Sequence, residues 1–154
     1  MLWNHAQLMK MHELPRRAFS IAVYPRYQDR VLLIFHKRLQ KWLPPGGELL
    51  PQETPLEAAV RELGEETGLI GSFPRLSAIE GVPPGLLGYE EHLAGNKGLH
   101  LNFVFVADVN SLVIIPNEEF DDYRWVSLNE GPWEGAPPNV RDFAVLALWQ
   151  RDVG

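Results

Sequence analysis

The sequence predicts an α/β fold, a sandwich with helices on both sides of a mixed sheet. Two apolar, β-branched runs precede a strongly capped helix, further strands follow it, and a second helix lies near the end of the chain. Strands and helices therefore interleave, the pattern of a layered α/β or α+β domain. The 154 residues fit one domain, read as 1–154, with enough chain to bury a full core.

Composition narrows the function. Apolar residues make up 45% and charged residues 22%, the globular range. A net charge of -6 argues against a generic nucleic-acid binder but not against a small anionic substrate, because a bound cation can invert the local field. There is no Cys, so disulfides and thiolate metal sites are excluded. No apolar run approaches the roughly 20 residues that span a bilayer, and the first residues lack a signal-peptide core. The expectation is a soluble, cytoplasmic protein without membrane or nucleic-acid partners.

Residues 1–16 mix Leu2, Trp3, Leu8 and Met9 with polar groups, and Pro15 closes them. They read as an arm or short helix that packs on its own domain or on a second copy, which is compatible with a homodimer. Ala18–Tyr24 and Arg30–His36 read as strands, with a turn between them. The second run is almost continuously apolar, as in a strand covered on both faces. Lys37, Arg38 and Lys41 follow, then Trp42-Leu43 and the loop Pro44-Pro45-Gly46-Gly47.

Thr54-Pro55-Leu56-Glu57 is a helix start, with Thr as N-cap, Pro at the first position and Glu closing a capping box. Leu56, Ala59, Val60 and Leu63 define the expected buried stripe, and Gly68 the left-handed stop. Residues 73–81 read as a strand. Val82–Gly98, rich in Gly and Pro, reads as a long binding loop or lid. Leu99–Val109 is the clearest strand, with Leu99, Leu101, Phe103 and Phe105 on one face and His100, Asn102, Val104 and Val106 on the other. After a loop over Ile115–Asp122, Tyr123–Leu128 is a short strand, and Val140–Arg151 a last helix.

Glu62, Glu65 and Glu66 carry the chemical signal. At i, i+3 and i+4 they project from one side of the helix, beside the expected apolar stripe. Each like-charge pair costs on the order of 3 kcal/mol at about 6 Å and an effective dielectric of 20. A helical ion pair returns only about 0.2–0.5 kcal/mol. A divalent cation resolves that imbalance. Carboxylate oxygens suit Mg²⁺ or Mn²⁺, which also bind substrate phosphates. The glycine loop adds a backbone that can approach closely, with a carbonyl for metal and N–H groups for phosphate. Together they form a metal-assisted phosphate site.

Gly47, Glu53, Arg61, Glu62, Leu63, Glu65, Glu66, Gly68 and Leu69 match every fixed position of G-x5-E-x7-R-E-U-x-E-E-x-G-U, where U is aliphatic. The chain thereby resembles the Nudix hydrolases, and the element order extends the likeness over most of its length. The resemblance implies an α/β/α sandwich and hydrolysis of a nucleoside diphosphate linked to another group. It implies Mg²⁺ held by Glu62, Glu65, Glu66 and the Gly46 carbonyl, with Glu62 also a general base in some members. Arg61 would hold one of the glutamates, and Glu53 would support the loop–helix geometry. Taken alone, Arg61 equally pairs with Glu57 one turn away.

Outside the box, the family often adds an acid from a late loop. Glu118 and Glu119 are the candidates, ahead of Asp121 and Asp122, and Glu119 is taken as the catalytic one. Arg38 stands where MutT-type members bind phosphate, and Asn139 where they read a purine edge. The bland readings are a solvated acidic loop, a solubilising arginine and an N-cap. Pro84 has the spacing of ADP-ribose-cleaving members. Tyr89 is too far along for a diadenosine-polyphosphate hydrolase, and there is no coenzyme A signature. His92, His100, Tyr89 and Trp133 read first as structural or packing groups. The expected function is therefore an Mg²⁺-dependent, MutT-like pyrophosphatase that takes a nucleoside triphosphate to monophosphate and pyrophosphate. An ADP-ribose or nucleotide-sugar hydrolase and a non-catalytic nucleotide sensor are the alternatives.

Overall fold

The computed structural model describes residues 15–130 and 133–154, without the side chain of Asp121. The arm expected over 1–16 lies outside the described residues except for Pro15 and Arg16.

The chain runs β1 (Arg17–Tyr27), β2 (Arg30–His36), β3 (Lys41–Leu43), β4 (Gly46–Glu48), α1 (Pro55–Thr67), β5 (Leu86–Leu93), β6 (Leu99–Asp108), β7 (Phe120–Val126) and α2 (Pro138–Trp149). All seven strands join one sheet in the order β3-β2-β1-β6-β5, with β4 on β1 and β7 on β2. The sheet is mixed because β1 and β6 run parallel over ten register pairs, Arg17–Leu99 to Arg26–Asp108, while every other pairing is antiparallel. β1 divides its other edge, pairing Ser20–Ala22 with β4 and Arg26–Tyr27 with β2.

Alternation along the strands sorts the core into two layers. Ile21, Val23, Leu32, Ile34, Phe105 and Ala107 pack with Ala58, Ala59 and Leu63 of α1. Tyr24, Val31, Leu33, Val104, Val106 and Val126 pack with Val140, Ala144, Ala147 and Leu148 of α2. This is the expected α/β arrangement, and Val31–Ile34 is buried on both faces as its apolar run implies.

Several elements differ from expectation. Gly46-Gly47, read as loop, begins strand β4, and the last helix is Pro138–Trp149 and not Val140–Arg151. Residues 73–81 form no strand; Ser72 alone bridges to Asp108. Val82–Gly98 is not a structureless lid: Leu86–Leu93 is the edge strand β5, paired to β6 despite its flanking glycines. β1 runs on through Pro25 to Tyr27, so the turn to β2 shortens to Gln28-Asp29. β7 begins three residues early, at Phe120, which is buried in the α1 layer.

The cap geometry of α1 follows the sequence. Thr54 Oγ1 accepts from the Glu57 amide at 3.2 Å, and Glu57 Oε1 accepts from the Thr54 amide at 2.9 Å. Gly68 ends the helix at φ 74° and donates to the Gly64 carbonyl. The buried stripe, however, is Ala58, Ala59, Leu63, Glu66 and Thr67, while Val60 is 55% exposed. Glu66 is seven residues after Ala59, hence almost directly above it on the helix. One acid thus stands on the core face and not beside it.

At the other end of the sheet, Arg26 reaches from β1 to the C-terminus of α2. It makes a bidentate pair with Asp108 of β6 and donates to the Ala147 and Gln150 carbonyls. These carbonyls are helix-end acceptors that a cation satisfies well. Among the described residues no helix is long and apolar enough to cross a membrane. Arg26→Ala is expected to destabilise the fold by about 1–3 kcal/mol, because it removes the donor of the Ala147 and Gln150 carbonyls, while the half-exposed Asp108 turns to water. Urea unfolding should show a lower midpoint with an unchanged m value.

Candidate active site

The box residues assemble around Arg61. Its Nε and Nη2 grip the Glu53 carboxylate at 2.8 and 2.9 Å. Nη1 donates to Glu62 Oε1 at 2.7 Å and Glu65 Oε2 at 3.1 Å, and Nη2 also meets the Glu48 carbonyl at 3.2 Å. Glu57 stays in the capping box, so it is not the partner of Arg61. Glu53 accepts from the Leu50 amide at 2.9 Å, which ties the loop after β4 to the helix. The Glu53 bonds to Arg61 hold its carboxyl down at about 2, so it stays ionised.

Glu62 and Glu66 converge where β4 crosses α1. The Gly46 amide donates to Glu66 Oε2 at 2.8 Å. A Cβ on Gly47 would stand 2.7 Å from Glu62 Oε1, so only glycine leaves that approach open. Glu66 is 3% exposed. Burial, reinforced by the Glu62 charge, pushes its pKa up to about 9. Burial also raises Glu62, against the opposing Arg61. Glu65 remains at the rim with its side chain 60% exposed. Among the described residues no three acids or histidines are already gathered as a metal cage. The donor set nonetheless fits a hard cation: two close carboxylates, one kept protonated by burial and by its neighbour's charge, beside a glycine backbone.

The other predicted residues fall around this centre. Glu119 precedes β7, its carbonyl accepting from the Lys37 amide at 3.0 Å. Its charge adds to the rise at Glu66, so the two carboxylates lie within electrostatic reach of each other. Glu118 shares the turn and is exposed. Arg38 is exposed in the turn after β2, next to His36, whose pKa is lowered by burial and by the Arg38 charge. Asn139 is not the N-cap. Pro137 holds that position, and the Asn139 amide donates to Glu90 Oε2 at 2.8 Å.

On the α2 side of the sheet lies a polar row that the sequence reading did not identify. Glu90, Asn102, Ser20 and Glu48 are register neighbours across β5, β6, β1 and β4. Ser20 Oγ donates to Asn102 Oδ1 at 2.8 Å, and Asn102 Nδ2 to Glu90 Oε1 at 3.2 Å. The Arg16 bonds, with help from His100, hold the Glu48 carboxyl down at about 2. His92 sits on Glu90 and His100 on Glu48, with their rings 5.6 Å apart. Polar residues interrupting the alternation of β6 were the available signal. Reading Val82–Gly98 as a loop hid their partners on β5.

A NUDIX domain model matches residues 14–144. Diphosphoinositol polyphosphate phosphohydrolase 3-alpha of Mus musculus is 34% identical over 108 residues, 70% of this chain and 56% of that protein. RNA pyrophosphohydrolase of Xylella fastidiosa is 34% identical over 103 residues, 58% of this chain and 53% of that protein. The chain thus spans about half the length of these curated relatives. A hydrolase of the NUDIX family from Clostridium perfringens superposes with TM-score 0.77 at 27% identity, covering 86% of this chain and 97% of that one. MutT protein from Methanosarcina mazei gives 0.69 at 26% identity, covering 88% and 94%.

The raised pKa of Glu66 has a signed consequence. Between its ordinary value of 4.5 and about 9 the metal-free protein holds a proton there, and a bound cation would expel it. Mg²⁺ binding at pH 7 is expected to release about one proton, and progressively less toward and above pH 9. Calorimetry in two buffers of different ionisation enthalpy reads this directly. Binding without proton release would remove Glu66 from the ligand set.

Proposed function

The chain belongs to the Nudix hydrolase family, and on that premise we propose that it is an Mg²⁺-dependent pyrophosphohydrolase. Its substrate is a nucleoside diphosphate linked to a further group. Nucleoside triphosphates, cleaved to monophosphate and pyrophosphate, are the preferred class. The observation that carries this reading is the Glu62–Glu66 pair against the Gly46-Gly47 backbone, with Glu66 kept from ionising by burial and by its neighbour. Glu62, Glu65, Glu66 and the Gly46 carbonyl are the proposed ligands, and a cation bound by them would supply Lewis-acid polarisation of a phosphoryl oxygen.

The remaining roles fall to the chain's own groups. Arg61 fixes the rotamers of Glu62 and Glu65 and keeps the loop on the helix. Arg38 offers a guanidinium to the distal phosphates. A carboxylate, Glu119 or Glu62, takes the proton of the attacking water. The water oxygen forms its bond to phosphorus as the bridging P–O bond breaks, so two phosphate products leave. Asn139 reads the base through its amide. The unit is read as a single domain over 1–154.

A second reading follows from the mouse relative, whose name specifies diphosphoinositol polyphosphates. ADP-ribose and nucleotide sugars are further candidates. A sensor without catalysis is disfavoured by the complete set of acids.

The test is a panel of nucleoside triphosphates, ADP-ribose, sugar nucleotides, 5′-triphosphate RNA and diphosphoinositol phosphates with Mg²⁺. Turnover is expected on at least one nucleotide and none in EDTA. Glu65→Gln and Glu66→Gln should each lower kcat by about 10²–10⁴-fold. Full activity in both variants would overturn the metal assignment. Binding without turnover on the whole panel would overturn the enzyme reading.

A further inference from the structure

Glu90 is an unusual group to find beside a site for an anionic substrate. It lies on β5, between β6 and the first turn of α2, with its side chain 13% exposed. Both carboxylate oxygens are occupied by donors. Oε1 accepts from His92 Nδ1 at 3.1 Å and Asn102 Nδ2 at 3.2 Å, and Oε2 from Asn139 Nδ2 at 2.8 Å. Burial alone would raise its pKa, but the bonds from His92, Asn139 and Asn102 outweigh burial and hold it below the ordinary value. Glu90 is thus an ionised acceptor with its oxygens committed, unsuited to moving protons.

An ionised carboxylate has no proton to give, so each amide that faces it must present its NH₂ group. For Asn102 the orientation is fixed twice, since Ser20 also donates to its Oδ1. For Asn139, Glu90 is the sole described restraint on the amide. One N–H is spent on Glu90. The Oδ1 acceptor and the second N–H have no partner among the described residues, which leaves a paired donor and acceptor for a ligand. That pair matches the edge of a nucleobase. It offers nothing specific to a polyphosphorylated ring, whose oxygens would instead meet the Glu90 charge.

Glu90 and Glu48 are separated by three strand spacings, about 14 Å, and Gly46 lies two residues before Glu48. Ser20 and Asn102 between them are buried, so a ligand with its base at Asn139 and its phosphates at β4 would bridge that distance over them and not touch them.

We infer that Glu90 is a positioning residue for substrate selection: it locks the Asn139 amide in one orientation, and that amide therefore selects base-bearing nucleotides over polyphosphorylated inositols. This rests on the pyrophosphohydrolase reading for the reaction but not for binding. The logic extends to Glu90→Gln. The two donors at Oε1 require an oxygen there, so the new NH₂ must turn toward Asn139. The Asn139 amide then reverses, and donor and acceptor exchange places at the base.

Four nucleoside triphosphates differing only in base, and diphosphoinositol pentakisphosphate, are compared on the wild type, Glu90→Gln, Asn139→Ala and the double variant Glu90→Gln/Asn139→Asp. Both steady-state kinetics and equilibrium binding are measured. The wild type is expected to prefer at least one nucleotide to the inositol. Glu90→Gln should weaken the preferred base about 10-fold, mainly in KM, and reorder the four bases. Asn139→Ala should level them. In the double variant the carboxylate accepts from the new amide, restoring the packing while favouring bases that present donors. An unchanged base order in Glu90→Gln, or a loss in kcat shared equally by all substrates, would overturn the inference. So would tighter binding of the inositol than of every nucleotide. If nothing is turned over but base-dependent binding shifts as described, the catalytic reading fails while the role of Glu90 stands.

Discussion

The five N–H donors of Arg61 hold the centre of this molecule together. Each has an acceptor: two on Glu53, one each on Glu62 and Glu65, and the carbonyl of Glu48. Removing that guanidinium would release a loop, a strand end and a helix face at once. The bonds are directional, and a lysine with its three donors on one nitrogen could not reproduce them. Arg61 also accounts for the tolerance of so many acids on one helix. Glu62 and Glu65 share a cation, Glu53 balances it from the loop, and Glu66 avoids the repulsion by retaining a proton.

β4 lies between two chemistries. Its Gly47 faces α1, where an absent side chain admits Glu62, and its Glu48 faces the opposite layer, where it meets His100 and Arg16. Three residues are enough because strand alternation sends neighbours to opposite faces. The proposed phosphate side and the proposed base side are therefore linked through a few backbone atoms. The register with Ser20 and Asn102 sets how far apart they stand.

Much of this was legible in the residues. The capping box, the Gly68 stop, the doubly covered β2 and the faces of β6 follow from local chemistry and period, and the structure has them all. What failed was composition read as conformation. Gly85, Gly88 and Gly95 made Val82–Gly98 look like a loop, yet pairing to β6 supplies what local propensity lacks. Apolarity points Val60 to the core and Glu66 to the rim, whereas helical angle does the reverse. Counting from Ala59 puts Glu66 inward whatever its polarity. Asn139 looked like a cap because caps favour asparagine. Its real partner, Glu90, is 49 residues away, and no local pattern announces such a contact.

The central pairing of β1 with β6 joins residues 82 positions apart. Between them lie β2 to β5 and α1, so the sheet cannot close until two thirds of the chain exists. Contacts of such separation fold slowly, since the intervening loop must be closed before they form. The capped helix with its acids, by contrast, is specified by neighbours within a few residues. During synthesis the acidic segment is therefore written and locally organised well before its support, and β6 is the strand whose arrival, through Phe105 and Ala107, gives that helix a sheet to pack on.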